Sequence, residues 1–303
     1  MFLFEPSREA LGQVLASLGF SEANAKRIAS KPCSEPGIRC SQGDVTVLAF
    51  AKPLGGFLSQ RIGDLSTLEE LYLEEAQLFG GIPVELGKLT KLTVLSLKGN
   101  HLNGSIPETL NGLKALTEMQ LGRNELSGVI PNLQNLSQLR ILELKQNNLE
   151  GEIPKSLGSL KNLELLKLGY NRLTGRIPET LGALQSLREL HLHENRLEGS
   201  IPSSLGNLKS LQKLFLFKNK LIGEIPKALG QLDQLQLLRL GKNSLTGQIP
   251  AELGSLKSLR DLHLYANSLS GSIPRELGQL QNLTKMHLEE TSCLHQRLQG
   301  QLH

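Results

Sequence analysis

The sequence predicts an α/β solenoid of about ten stacked 24-residue units, each adding one strand to a parallel β-sheet. Three observations predict it. Of the 303 residues, 68 are leucine. Nine of the 13 prolines sit in Ile-Pro pairs, at Pro83, Pro107, Pro131, Pro154, Pro178, Pro202, Pro226, Pro250 and Pro274. Those pairs recur at seven intervals of 24 residues and one of 23, and self-similarity at such a period builds stacked coils. The run Leu187, Leu190, Leu192, Asn195, Leu197, Gly199, Ile201, Pro202, Leu205, Gly206, Leu208 is a clean copy of the unit.

Taken in chain order, the first element is a helix. Leu11, Val14, Leu15 and Leu18 stand at i, i+3, i+4 and i+7 after Pro6, with Ser7 as its N-cap. Cys33 and Cys40 then bracket a short polar loop, followed by the apolar Val45-Thr46-Val47-Leu48. The first unit, around Leu48 to Gly56, has no Asn and is one residue short. In a regular unit Leu190-His191-Leu192 is a strand of period 2, leucines inward and His191 outward. Asn recurs where each strand ends, at Asn100, Asn124, Asn147, Asn171, Asn195, Asn219, Asn243 and Asn267. Its amide carries donors and an acceptor, so stacked copies satisfy backbone groups of neighbouring coils. Gly199 permits a tight bend, and Ile201-Pro202 forces extended backbone on the far side. Ala76 and Thr291 replace the Asn near the two ends, and after Leu288 the period fails. Leu298-Gln299-Gly300 echoes the motif five residues late, and Cys293 is left odd. The organisation expected is therefore an N-terminal helical cap over 1–44, repeats over 45–288 and a degenerate end over 289–303.

Composition narrows the function. With 20% charged residues and a net charge of +4, the chain is neither a polyelectrolyte nor a disordered tail. Its basic residues are scattered, not gathered into a nucleic-acid footprint. No stretch approaches the roughly 18 apolar residues of a membrane span. No HExxH, GxSxG, Walker loop or CxxC pair occurs, so the expectation is a non-enzyme without cofactor.

From about residue 7 to residue 288 the L-x-x-L-x-L-x-x-N-x-L-x-G-x-I-P unit resembles the plant-type leucine-rich repeat. That class includes ectodomains of receptor-like kinases and receptor-like proteins, polygalacturonase-inhibiting proteins and some ice-binding proteins. The resemblance implies a right-handed superhelix with a parallel sheet on its concave face, where ligands are met, and a co-receptor as a second partner. It also implies that Cys33 and Cys40 form a disulfide in the N-terminal cap, although the Trp usual in that cap is missing. An extracellular or cell-surface location is implied too. Phe2-Leu3-Phe4 runs straight into Glu5, too short for a secretory signal core, so a chain complete as it stands is expected in the cytoplasm.

The repeat register predicts the side chains on the sheet face. The middle strand position reads Tyr72, Ser96, Gln120, Glu143, Lys167, His191, Phe215, Arg239, His263, His287. Two residues on, it reads Glu74, Lys98, Gly122, Lys145, Gly169, His193, Phe217, Gly241, Tyr265, Glu289. His191, His193, Phe215, Phe217, Arg239, His263, Tyr265 and His287 gather on five consecutive strands and form the expected partner-binding face. Phe215 and Phe217 are expected as two exposed rings side by side, and clustered aromatics and Arg suit interface hot spots. The two His pairs are separated by three strand spacings, roughly 14 Å, too far for one metal ion. Histidines on one face also suggest binding that changes near pH 6.5.

Elsewhere the column Gly81, Ser105, Val129, Glu152, Arg176, Ser200, Glu224, Gln248, Ser272 is irregular and charged, unlike an ice-binding rank. The unit around Pro131-Asn132-Leu133 lacks one residue, a tolerated loop deletion. Sequons at Asn103, Asn135 and Asn282 are glycosylation candidates in a secreted chain. The function expected is a module that binds a protein or peptide in recognition or signalling. The rivals are an inhibitor of a secreted polysaccharide hydrolase and an intracellular scaffold.

Overall fold

The computed structural model of the chain describes residues 5–289, with side chains from Arg8 onward. Thr291, Cys293, the Leu298–Gly300 echo and Phe2-Leu3-Phe4 lie outside the described residues. The chain forms two compact units, Met1–Leu149 and Glu150–His303.

The first unit opens with helices α1, Glu5–Ser17, and α2, Glu22–Ser30. Helix α1 begins at Glu5, so Ser7 is its third residue and not its cap. Leu11, Val14, Leu15 and Leu18 are fully buried, as their helical spacing requires. The hydroxyl of Ser21 caps α2 by accepting from the Asn24 N–H at 3.4 Å. A disulfide joins Cys33 to Cys40. Strand Ile38–Ser41 pairs antiparallel with Asp44–Ala49, which starts the parallel sheet. Strands Glu70–Tyr72, Val94–Ser96, Glu118–Gln120 and Ile141–Glu143 extend it.

The second unit carries six parallel strands: Leu165–Lys167, Glu189–His191, Lys213–Phe215, Leu237–Arg239, Asp261–His263 and Lys285–His287. Leu187, Leu190, Leu192, Leu197, Leu205 and Leu208 of one repeat are all fully buried. Each such burial contributes about 2 kcal/mol, and neighbouring coils supply the contacts. After every Ile-Pro except Ile130-Pro131, in the shortened unit, the chain makes a five-residue 3-10 turn, such as Ser203–Asn207 behind extended Pro202. The helical component of the repeats is this tighter turn, the form helices take in short pieces. It fits because coils touch there: a Cβ on Gly206 would stand 2.4 Å from the Ala228 carbonyl oxygen. A small parallel sheet, Glu198–Gly199, Lys220–Glu224 and Ser244–Thr246, forms a further layer.

The asparagines fasten coil to coil. Asn195 Nδ2 donates to the carbonyls of Leu168 and Leu192, at 3.0 and 3.1 Å, and its Oδ1 accepts from the Leu173 N–H at 3.0 Å. Where Ala76 replaces the Asn, its neighbour compensates: Asn100 Oδ1 accepts from both Ala76 and Leu78 N–H.

Candidate functional site

Parallel register delivers the expected columns. Lys167, His191, Phe215, Arg239, His263 and His287 are Cα partners on successive strands. His193, Phe217 and Tyr265 follow two residues later on the same face. The eight residues singled out from the sequence therefore share one surface of the second unit.

The rings pack against one another. His191 lies 4.5 Å from Phe215, and His193 stacks on Phe217 at 4.5 Å with planes 17° apart. Phe215 and Phe217 are 6.3 Å apart, and the Arg239 guanidinium sits 5.1 Å from the Phe215 ring. His263 and His287 meet edge to face at 4.4 Å, with Tyr265 6.0 Å from His263. One expectation needs correction: Phe215 and Phe217 are half-buried, because neighbouring rings and the Arg239 guanidinium cover much of them. His193 is 8% exposed.

Three residues of this face escaped the sequence reading. Glu189 stands two residues before His191 and lies beside it, Oε2 3.1 Å from Nε2, while Lys213 Nζ donates to its other oxygen at 2.7 Å. Asp261 stands two residues before His263 and repeats the device. Its Oδ1 is 2.8 Å from His263 Nε2, and its Oδ2 accepts from Arg239 at 2.6 Å. The signal was available, since strand period 2 puts residues i−2 and i on one side. The third, Tyr170, packs edge-on against His193 at 5.0 Å. It was hidden because it follows the strand in left-handed backbone, φ 58°, which period 2 does not anticipate.

The electrostatics follow from burial. Burial pushes the His191 imidazole down to about 4; Glu189 pulls it back up in part, and Lys167, His193 and Lys213 push it lower. His263 is lowered for the same leading reason, with Asp261 opposing and Arg239 and His287 adding to the fall. Burial raises the Glu189 carboxyl, but the Lys213 hydrogen bond and charge, with His191 and Lys167, outweigh it, leaving Glu189 below its ordinary range. The titration of His191 therefore lies well under the pH 6.5 suggested by composition.

Among the described residues no group of three or more His, Cys, Asp or Glu is arranged to hold a metal ion. No described helix is long and apolar enough to cross a membrane. The sequon residues Asn103, Asn135 and Asn282 are all exposed, and Asn282 Nδ2 donates to the Lys257 carbonyl at 2.8 Å. On the far layer Glu152, Arg176 and Glu224 are exposed charges.

Stacked 24-residue coils, a parallel sheet and an Asn ladder define a leucine-rich repeat protein. Family models described as "Leucine-rich repeat region" and "Leucine rich repeat" match residues 125–220 and 178–303, and residues 90–149, respectively. The chain belongs to the leucine-rich repeat family. Among solved structures it is similar to the PEPR1–AtPEP1 complex, with 35% identity and a TM-score of 0.75 over 92% of this chain and 42% of that one. The Arabidopsis receptor kinase HAESA, in complex with the peptide hormone IDA and the co-receptor SERK1, matches with 28% identity and a TM-score of 0.73. That match covers 95% of this chain and 54% of HAESA. A plant ice-binding protein matches with 28% identity and a TM-score of 0.76, covering 96% of this chain and 95% of that one. The chain thus spans about half the length of the receptor chains and nearly the whole of the ice-binding protein. No curated protein matches in sequence.

Proposed function

We propose that this chain is a non-enzymatic binding module that takes a protein or peptide ligand on the sheet face of its second unit, in recognition or signalling. The observation that carries the reading is the ring cluster His191, His193, Phe215 and Phe217, flanked by Arg239 and by His263, Tyr265 and His287. Aromatics and Arg in a partly desolvated patch are the residues that dominate interface energies. Similarity to HAESA, whose structure holds a peptide hormone and a co-receptor, supports a peptide as the ligand and a co-receptor as second partner. The ice-binding likeness covers more of its partner's length, but exposed Glu152, Arg176 and Glu224 interrupt the rank of small hydroxyls that ice would require.

The test is selection from a phage-displayed random peptide library, with wild type and a Phe215→Glu/Phe217→Glu variant as baits after circular dichroism shows both folded. Wild type is expected to enrich peptides that the variant does not bind. Equal enrichment by both baits would place binding on another surface and overturn this site.

A further inference from the structure

Three glycines, Gly122, Gly169 and Gly241, occupy the second sheet-face column where the other strands carry side chains. Glycine weakens a strand, and its presence marks a place where something approaches the backbone closely. None of the three has the left-handed backbone that would itself call for glycine. Each lies instead beneath a side chain from the next strand. A Cβ on Gly169 would stand 2.7 Å from His193 Cε1, and one on Gly241 would stand 2.6 Å from Tyr265 Cε1. At Gly122 the nearest atoms are Glu143 Oε1, at 3.0 Å, and the Lys145 carbonyl oxygen, at 3.1 Å. The two glycines of the second unit thus lie under rings, which would have to shift to make room for a Cβ. With His193 lowered onto Gly169, Phe217 stacks on its other side.

The charges around this floor set the chemistry it accepts. Glu189 is held by Lys213, and Asp261 by Arg239. A charged ligand group would have to break into these pairs and lose its own water, whereas a flat apolar ring gains stacking and burial.

We propose that Gly169 and Gly241 are positioning residues of the binding face, holding His193 and Tyr265 down so that the floor accepts an uncharged ring side chain, aromatic or proline, of a bound peptide. The inference rests on the peptide-binding reading above and deepens it.

The experiment uses the peptides that the phage library yields with wild type, measured against Gly169→Ala, Gly241→Ala, Tyr265→Ala and Gly241→Ala/Tyr265→Ala. The selected peptides are expected to share an aromatic or proline residue whose replacement by alanine abolishes binding. Each glycine variant is expected to weaken binding roughly tenfold. Once Tyr265 is truncated, adding Gly241→Ala should produce no further loss, because the ring it would lift is gone. Wild-type affinity in both glycine variants, with binding still lost in Phe215→Glu/Phe217→Glu, overturns the positioning role and leaves the peptide-binding reading standing. Peptides anchored by charge, or additive losses in the Gly241/Tyr265 pair, overturn it as well. If wild type enriches no peptide, both readings fall. Circular dichroism and thermal unfolding accompany every variant, and failure of both glycine variants to fold would assign the glycines to folding and overturn the proposal.

Discussion

Asn124 shows how much one side chain holds in this fold. Its Nδ2 donates to the carbonyls of Leu97 and Leu121, and its Oδ1 accepts from the Leu102 N–H. Asn124→Ala strands these groups in a buried site, and a loss of about 2–4 kcal/mol is expected from chemical denaturation; a loss below about 1 kcal/mol would contradict the ladder's role. His191 carries the pH prediction. An unfolded His protonates near 6.5, whereas the folded one resists until about 4, so the folded state binds fewer protons between those values. The stability it contributes is present above pH 6.5 and is lost as pH falls toward 4. An NMR titration of the His191 ring should show its midpoint near 4, and a midpoint near 6.5 would mean the ring is solvated. The asparagines were legible from the sequence because a polar residue recurring among leucines has few other uses. The left-handed residues before them, Tyr170, Glu194, Lys218, Lys242 and Ala266, were not, because four of the five carry ordinary surface side chains.

Among elements, the strands and their inward leucines were readable because a period of 2 inside a period of 24 leaves one register. That same register placed His191, Phe215, Arg239, His263 and His287 side by side. Burial of Phe215 and Phe217 was not readable, since it depends on rings from adjacent strands leaning together, which spacing does not encode. Period 2 also puts Glu189 and Asp261 on that face, but each sits in a column with Leu165, Lys213 and Leu237, whose mixed composition did not single out the carboxylates. At the N-terminal end, the Cys33–Cys40 disulfide closes a loop with a sequence separation of 7 over the first strand pair. Replacing both cysteines by serine should lower the stability of that end by about 2 kcal/mol. Hydrogen exchange would show it as faster exchange in Ile38–Ser41 and Asp44–Ala49, and unchanged exchange there would show that α1 and α2 hold the end without the bridge.

For the whole molecule, the repeat arithmetic settles the family, while the function proposed above rests on the side chains of one sheet face. The receptor likeness and the ice-binding likeness share the scaffold, so only the side chains on each surface separate them. Binding through the ring cluster is tested most directly by measuring the affinity of one selected peptide for three proteins. These are wild type, Phe215→Glu/Phe217→Glu on the ring face, and Ile222→Glu on the separate Lys220–Glu224 layer, where Ile222 is 53% exposed. The expected result is tight binding by wild type and Ile222→Glu, with loss of roughly a hundredfold or more in the double variant. Equal binding by all three, or loss confined to Ile222→Glu, would contradict the assignment of the ligand to the His191–Phe217 face.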